Sequence, residues 1–133
     1  MTDFHLKVVT PDGVKFDGEV KSLLVRTDEG DVEFLAGHID YFAHLGIGRA
    51  RLTVGDARRY ASVNGGCVVA SKSGVTLTAT TFEFAEDIDI ARARLAKEQA
   101  EGRISAAKDG REIDVAKAKL MRAINRIKVA ELL

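Results

Sequence analysis

The sequence holds one cysteine, Cys67, one proline, Pro11, and no tryptophan. A single thiol cannot close an internal disulfide, so the fold must stand without covalent staples, and a reducing compartment suits it. With proline spent at position 11, later turns fall to glycine, aspartate and asparagine. Net charge is also missing: 20 Lys and Arg balance 20 Asp and Glu. That removes any global reason to expect nucleic-acid binding. No apolar run approaches the roughly 20 residues that span a bilayer. The start, Met1-Thr2-Asp3-Phe4-His5, has neither the basic-then-apolar order of a secretory signal nor the Arg- and Ser-rich character of a transit peptide. There is no Gly-x-Ser-x-Gly and no Gly-x-x-x-x-Gly-Lys phosphate loop, so neither a serine hydrolase nor a P-loop nucleotidase is expected.

What is present is 133 residues, 46% hydrophobic and 30% charged, enough for one domain or a compact domain with an appendage. The periodicity of the apolar residues changes at Glu86-Asp87-Ile88-Asp89-Ile90-Ala91-Arg92-Ala93. Before it they alternate, which means strands; after it they recur every third or fourth position, which means helix. The spacing predicts domains over 1–85 and 86–133.

In the first half, strands are expected over Phe4 to Val8, Val14 to Phe16, Val20 to Thr27, Arg49 to Val54 and from Val75 on. Turns are expected at Thr10-Pro11-Asp12-Gly13, Asp17-Gly18, Asp28 to Asp31, Gly55-Asp56 and Ser73-Gly74, and a break at Asn64-Gly65-Gly66. Short strands punctuated every ~8–12 residues imply a sandwich or barrel. In the second half, Asp87 is placed to cap a helix, and Asp89 to complement its dipole from the first turn. Ile88, Ala91 and Leu95 form one expected apolar stripe, and Ile113, Ala116, Leu120, Ala123, Ile124 and Ile127 a second, parted at Asp109-Gly110. The expected fold is thus an N-terminal β-sandwich of antiparallel strands followed by an antiparallel two-helix hairpin.

Alanine-rich stripes bury little area, so the hairpin should be marginal alone. With its turn near Lys108, residues around Ile90 face those around Arg126, and residues around Arg94 face those around Arg122, to within about one turn. Arg122 and Arg126 are four apart and share a face. Asp89, Arg92, Arg122 and Arg126 therefore stand at one level. Guanidinium groups gathered this way suit phosphate oxygens. The same residues also read as a solvated face on which Glu86 and Asp89 pair with the arginines.

Several short motifs stand in a telling order: His5-Leu6-x-Val8-Val9-Thr10-Pro11, Phe16-x-Gly18-Glu19-Val20, Thr27-x-x-Gly30, Gly37-His38, Gly46-Ile47-Gly48, Val63-x-Gly65-Gly66 and Ile88-Asp89-x-x-Arg92-Ala93. Together they resemble the epsilon subunit of bacterial F-type ATP synthases over nearly the whole chain. The resemblance implies a non-catalytic rotor component on the cytoplasmic face of the plasma membrane. Its sandwich would tie the gamma shaft to the c-ring, and its hairpin would meet the alpha/beta catalytic head when extended and restrain ATP hydrolysis. Lys117, Lys119, Arg122, Arg126 and Lys128 would supply the cations for that contact. The resemblance also implies ATP as a regulatory ligand of Ile88, Asp89, Arg92, Ala93, Arg122 and Arg126, and a c-ring contact through Glu29, Gly30, Asp31 and His38. The chain departs from the pattern at Ala36 and Asp40, where the family has prolines, and at Glu33, where a small residue is usual. Two other readings follow from the residues. One is a free-standing cytosolic nucleotide-sensing module. The other is a metal-dependent enzyme on His38, Asp40 and His44 with a distant His5, for which the converging ligands are few. Cys67 is expected to be a structural thiol of a core strand.

Overall fold

The computed structural model describes residues 2–133. The chain forms two compact units, Met1–Phe84 and Ala85–Leu133.

The first unit is a single hydrogen-bonded sheet of eight strands that doubles over on itself. These are β1 (Phe4–Thr10), β2 (Gly13–Val20), β3 (Ser22–Thr27), β4 (Gly30–Leu35), β5 (Tyr41–His44), β6 (Ile47–Val54), β7 (Ala57–Ser71) and β8 (Gly74–Phe84). The order is β2-β1-β8-β7-β6-β3-β4, with β5 pairing separately on β7. The doubling is made by the long strands. Residues 57–64 of β7 pair with β6, while 67–70 pair with β5. One half of β7 thus serves each layer. Asn64-Gly65-Gly66 was expected to break this strand; instead the β7–β8 pairing carries straight through, from Ala61–Phe84 to Ser71–Gly74. Gly65 and Gly66 take φ of 69° and 102°, so they bend the strand without ending it.

The expected run Val20 to Thr27 is one extended stretch in two strands. It leaves β1 at Val20 and joins β6 at Ser22, with the Lys21 amide donating to the Thr53 carbonyl at 2.8 Å. Asp17-Gly18, read as a turn, lies inside β2 opposite Lys7 and Leu6. The ladder with β1 holds it extended there. Two turns share one device. Thr10 and Thr27 are buried, and each hydroxyl accepts from the amide two residues on, Asp12 or Glu29, and donates to the carbonyl of Gly13 or Gly30. At Thr10 this acts beside Pro11, and at Thr27 the same hydroxyl pattern sets a turn that has no proline. Gly55-Asp56 is the two-residue hairpin expected, joining Val54 to Ala57.

Alternating side chains of both layers meet in one core. Leu6, Val8, Val20, Leu23, Leu52, Val68 and Leu77 are fully enclosed there, with Phe34, Phe82 and Phe84 at its ends. Each such leucine contributes about 1.5–3 kcal/mol by burial.

The second unit opens with one 3₁₀ turn, Ala85–Asp87, followed by α1 (Ile90–Ala106) and α2 (Gly110–Ala130). The cap of α1 is Asp89, whose carboxylate accepts from the Arg92 amide at 3.1 Å. This corrects the expectation for Asp87, which the preceding 3₁₀ turn takes up. Asp109 caps α2 by accepting from the Glu112 amide at 2.8 Å, and Glu112 reaches back to the Lys108 amide at 2.9 Å. Each cap contributes about 1 kcal/mol.

Candidate functional site on the helical hairpin

The connection between the helices is three residues, Ala107 to Asp109, so Lys108 is its centre as expected. Burial fixes the register. Ala100 and Ala116 lie eight residues either side of Lys108, and Ala93 and Ala123 fifteen either side. All four are 2–3% exposed. These are the contact positions of an antiparallel pair, and their small size lets the helices approach closely. The expected stripe of α1 was out of phase: Ala91 and Leu95 face outward, with Leu95 54% exposed. Small residues, not the largest, mark the inner face here. The stripe of α2 holds, with Ala116 and Ala123 buried and Ile113, Leu120, Ile124 and Ile127 half-buried.

The same register puts Ile90 level with Arg126 and Arg94 level with Arg122. Asp89 and Arg92 lie in the first turn of α1 or just before it and are exposed; Arg122 and Arg126 lie one turn apart on α2 and are half-buried. Ala93 is buried at the helix contact and Ile88 is half-buried beside the cap. Asp89 is committed to the α1 amides. Arg126 and Glu86 both have partners within the chain. Cation, cap and small-residue contact thus occupy the same end of the hairpin. At the other end, about 25 Å along α1, the turn carries a groove of about 490 Å³ lined by Arg103, Arg111, Glu112 and Val115, among others. Sequence reasoning passed over it, since residues on two helices form it only once the turn is placed.

The four residues expected to meet the c-ring are separated. Glu29, Gly30 and Asp31 stand at the β3–β4 turn, where Asp31 pairs with Arg26 at 2.7 Å. His38 lies beyond the far end of β4, six residues or about 20 Å along the strand. His38 is half-buried and edge-on to Phe4 and Phe34. Glu33, unusual in its place, reaches across Leu24 to an ion pair with Arg51.

The metal-site pattern is not assembled. His5 is held by Asp17 at 2.7 Å and Glu19 at 3.2 Å. Both ring nitrogens of His38 face backbone carbonyls. Among the described residues no cluster of three or more His, Cys, Asp or Glu could hold a metal ion. His44 lies in β5, a strand that the sequence reading left unassigned, opposite Cys67. Cys67 is half-buried on the outer side of β7, not in the core as expected. Among the described residues no helix is long and apolar enough to cross a membrane.

Comparison with known proteins places both units. Residues 3–85 match the beta-sandwich domain of the ATP synthase delta/epsilon chain, and residues 86–131 match its long alpha-helix domain. The chain belongs to the ATP synthase delta/epsilon family. It is 42% identical over 132 residues to the ATP synthase epsilon chain of Halalkalibacterium halodurans, covering 98% of each. It is 41% identical to that of Alkalihalophilus pseudofirmus, with coverage of 97% and 98%, and 38% identical to that of Bacillus velezensis, with 98% of each covered. These relatives support the F-type ATP synthase epsilon subunit as its kind. Two solved structures share the fold. One is from the Euglena gracilis mitochondrial ATP synthase, with a TM-score of 0.84 at 21% identity, covering 100% of this chain and 83% of the other. The second is from the central stalk and c-ring of the Tetrahymena thermophila enzyme, with a TM-score of 0.66 at 15% identity and 97% coverage of each.

Proposed function

We propose that this chain is the non-catalytic epsilon subunit of a bacterial F-type ATP synthase. Its sandwich couples the gamma shaft to the c-ring on the cytoplasmic side, and its hairpin restrains ATP hydrolysis when it extends toward the alpha/beta head. The observation that carries the regulatory part is the helix contact itself. The four fully buried contact residues are alanines, whose methyls supply only about 3 kcal/mol at about 0.8 each, and the isoleucines and leucine beside them are only half-buried. Helices of 17 and 21 residues are marginal in water without packing. A hairpin closed mainly on small side chains lies within a few kcal/mol of an opened form, and a switch needs two states that a ligand or partner can exchange within such a gap.

ATP is the ligand that would bias this balance. Arg122 and Arg126 offer guanidinium groups to phosphate at the level of Arg92, where both helices must be together for all three to serve. Because Asp89 is engaged as the cap and Arg126 has a partner, binding would rearrange charges already placed. Calorimetry of the isolated chain with Mg-free ATP is expected to show binding, lost when Arg122 and Arg126 are both replaced by alanine. Absence of heat at millimolar nucleotide, or equal binding by the double variant, would remove ATP from the account. The cations of α2, Lys117, Lys119, Arg122, Arg126 and Lys128, would then act only on the head.

A further inference from the structure

His38 ties three pieces of the sandwich together. Its Nε2 lies 2.8 Å from the Ser71 carbonyl oxygen at the end of β7, and its Nδ1 lies 3.1 Å from the Leu35 carbonyl oxygen at the end of β4. Its own amide also donates to the Leu35 carbonyl at 3.1 Å. A carbonyl oxygen only accepts, so each ring nitrogen needs a hydrogen to bond here. Neutral imidazole carries one such hydrogen; only the doubly protonated ring carries both. Phe4 and Phe34 meet the ring edge-on, with centroids at 5.3 and 6.3 Å, which fixes its plane between the two carbonyls.

We infer that His38 is a protonation-operated latch: the doubly protonated ring holds both the tie to β7 at Ser71 and the local tie to Leu35, and the neutral ring holds only one of the two, so that the loop segment after β4 loosens. The loop is poised for this. It lacks the prolines that would stiffen it, with Ala36 and Asp40 in their places, and Ile39 is 79% exposed. Protons reach the ring through an open cleft of about 600 Å³. The charged and titratable groups facing it are Asp3 and His5 on or beside β1, Glu19 on β2 and Lys72 in the β7–β8 turn. Glu33 and Tyr41 line the other side, with Asp40 in the loop itself. Three have other partners: His5 pairs with Asp17 and Glu19, and Glu33 with Arg51. The latch depends only on hydrogen bonds within the sandwich and stands whether or not the rotor reading holds.

The test is amide hydrogen exchange of residues 36–40 in the full chain, corrected for intrinsic exchange, across about pH 5 to 8, where imidazoles change charge. Protection in the wild type is expected to fall between about twofold and tenfold as pH rises, the loss of one hydrogen bond. In His38→Gln, whose amide does not titrate, protection should be flat with pH. In His5→Gln the wild-type dependence should persist. A flat wild type, a pH-dependent His38→Gln, or loss of the dependence in His5→Gln would each overturn the latch. Nitrogen-15 spectra of the wild-type histidines give an independent reading should the variant not fold. Both His38 nitrogens should carry hydrogens at the acid end, and a bare Nδ1 there would refute the inference.

Discussion

Gly66→Ala is expected to unfold the sandwich or to leave it at the edge of stability. A β-carbon on Gly66 would run into the backbone of β8, at the Thr78 carbonyl and the Ala79 α-carbon. Neither is the end of a flexible side chain that could swing away. Gly66 also has a φ of 102°, a region that side chains other than glycine's rarely adopt. Clash and strain act at the point where β7 passes from one layer to the other, so relaxing them must part β7 from β8. A loss of about 4 kcal/mol or more is expected, a large share of the roughly 5–15 kcal/mol that holds a domain of this size. Urea unfolding followed by circular dichroism measures it. Gly46→Ala is the control. Nothing lies within 4 Å of a β-carbon there, and its φ is outside the restricted range. It is expected to stay within about 0.5 kcal/mol of the wild type.

Ala100→Asp is expected to open the hairpin and leave the sandwich folded. Ala100 is 2% exposed at the contact with α2 and level with Ala116, which is also 2% exposed. An unpaired carboxylate there costs about 3–5 kcal/mol, as much as or more than the four alanine methyls supply. The helices lose their shared face, and each alone is marginal. Hydrogen exchange should show amide protection in α1 and α2 falling about a hundredfold or more, since each 1.4 kcal/mol is a factor of ten. The sandwich, a separate compact unit with its own core, should exchange as before. Val115→Asp, on an exposed face at 51%, is expected to change neither. Equal protection in Ala100→Asp and the wild type would mean that more than alanine contacts closes the hairpin.

These two positions also show what was legible in the sequence. The change of period at Glu86 was readable, because strands and helices repeat their faces at different intervals. Most strands of the sandwich were readable for the same reason. The glycine pair at 65–66 was read as a break, because local preference cannot tell a strand's end from a strand bent around a core. β4 and β5 were both missed: Gly30 to Leu35 begins inside what read as a turn, and Tyr41 to His44 is four residues long, too short for a period, with its pairing to β7 set from far along the chain. The inner face of α1 was read as Ile88, Ala91 and Leu95, while the contact is made by Ala93 and Ala100. Volume misleads where helices pack closely.

The candidate site was legible in one respect and not in another. Counting outward from Lys108 placed Arg92, Arg122 and Arg126 at one end of the hairpin, and the buried alanines support that register. Sequence could not tell which acid was the cap; Asp89 takes that role and so has less to offer a ligand. On the sandwich, Glu29, Gly30, Asp31 and His38 were grouped by the family resemblance alone, and their separation was not legible until β4 was placed. An extended strand carries its ends apart as fast as a chain can go, and β4 lies between them.

The central claim is that this chain joins an ATP synthase rotor and that its hairpin restrains hydrolysis. The most direct measurement adds it to a bacterial ATP synthase head that lacks its epsilon subunit and records binding and ATP hydrolysis together. The wild type is expected to bind and to slow hydrolysis, less so as salt rises, because exposed charges are screened within about 10 Å at 0.1 M. Ala100→Asp is expected to bind equally through the sandwich and to alter the degree of inhibition. No binding and an unchanged rate would contradict the account.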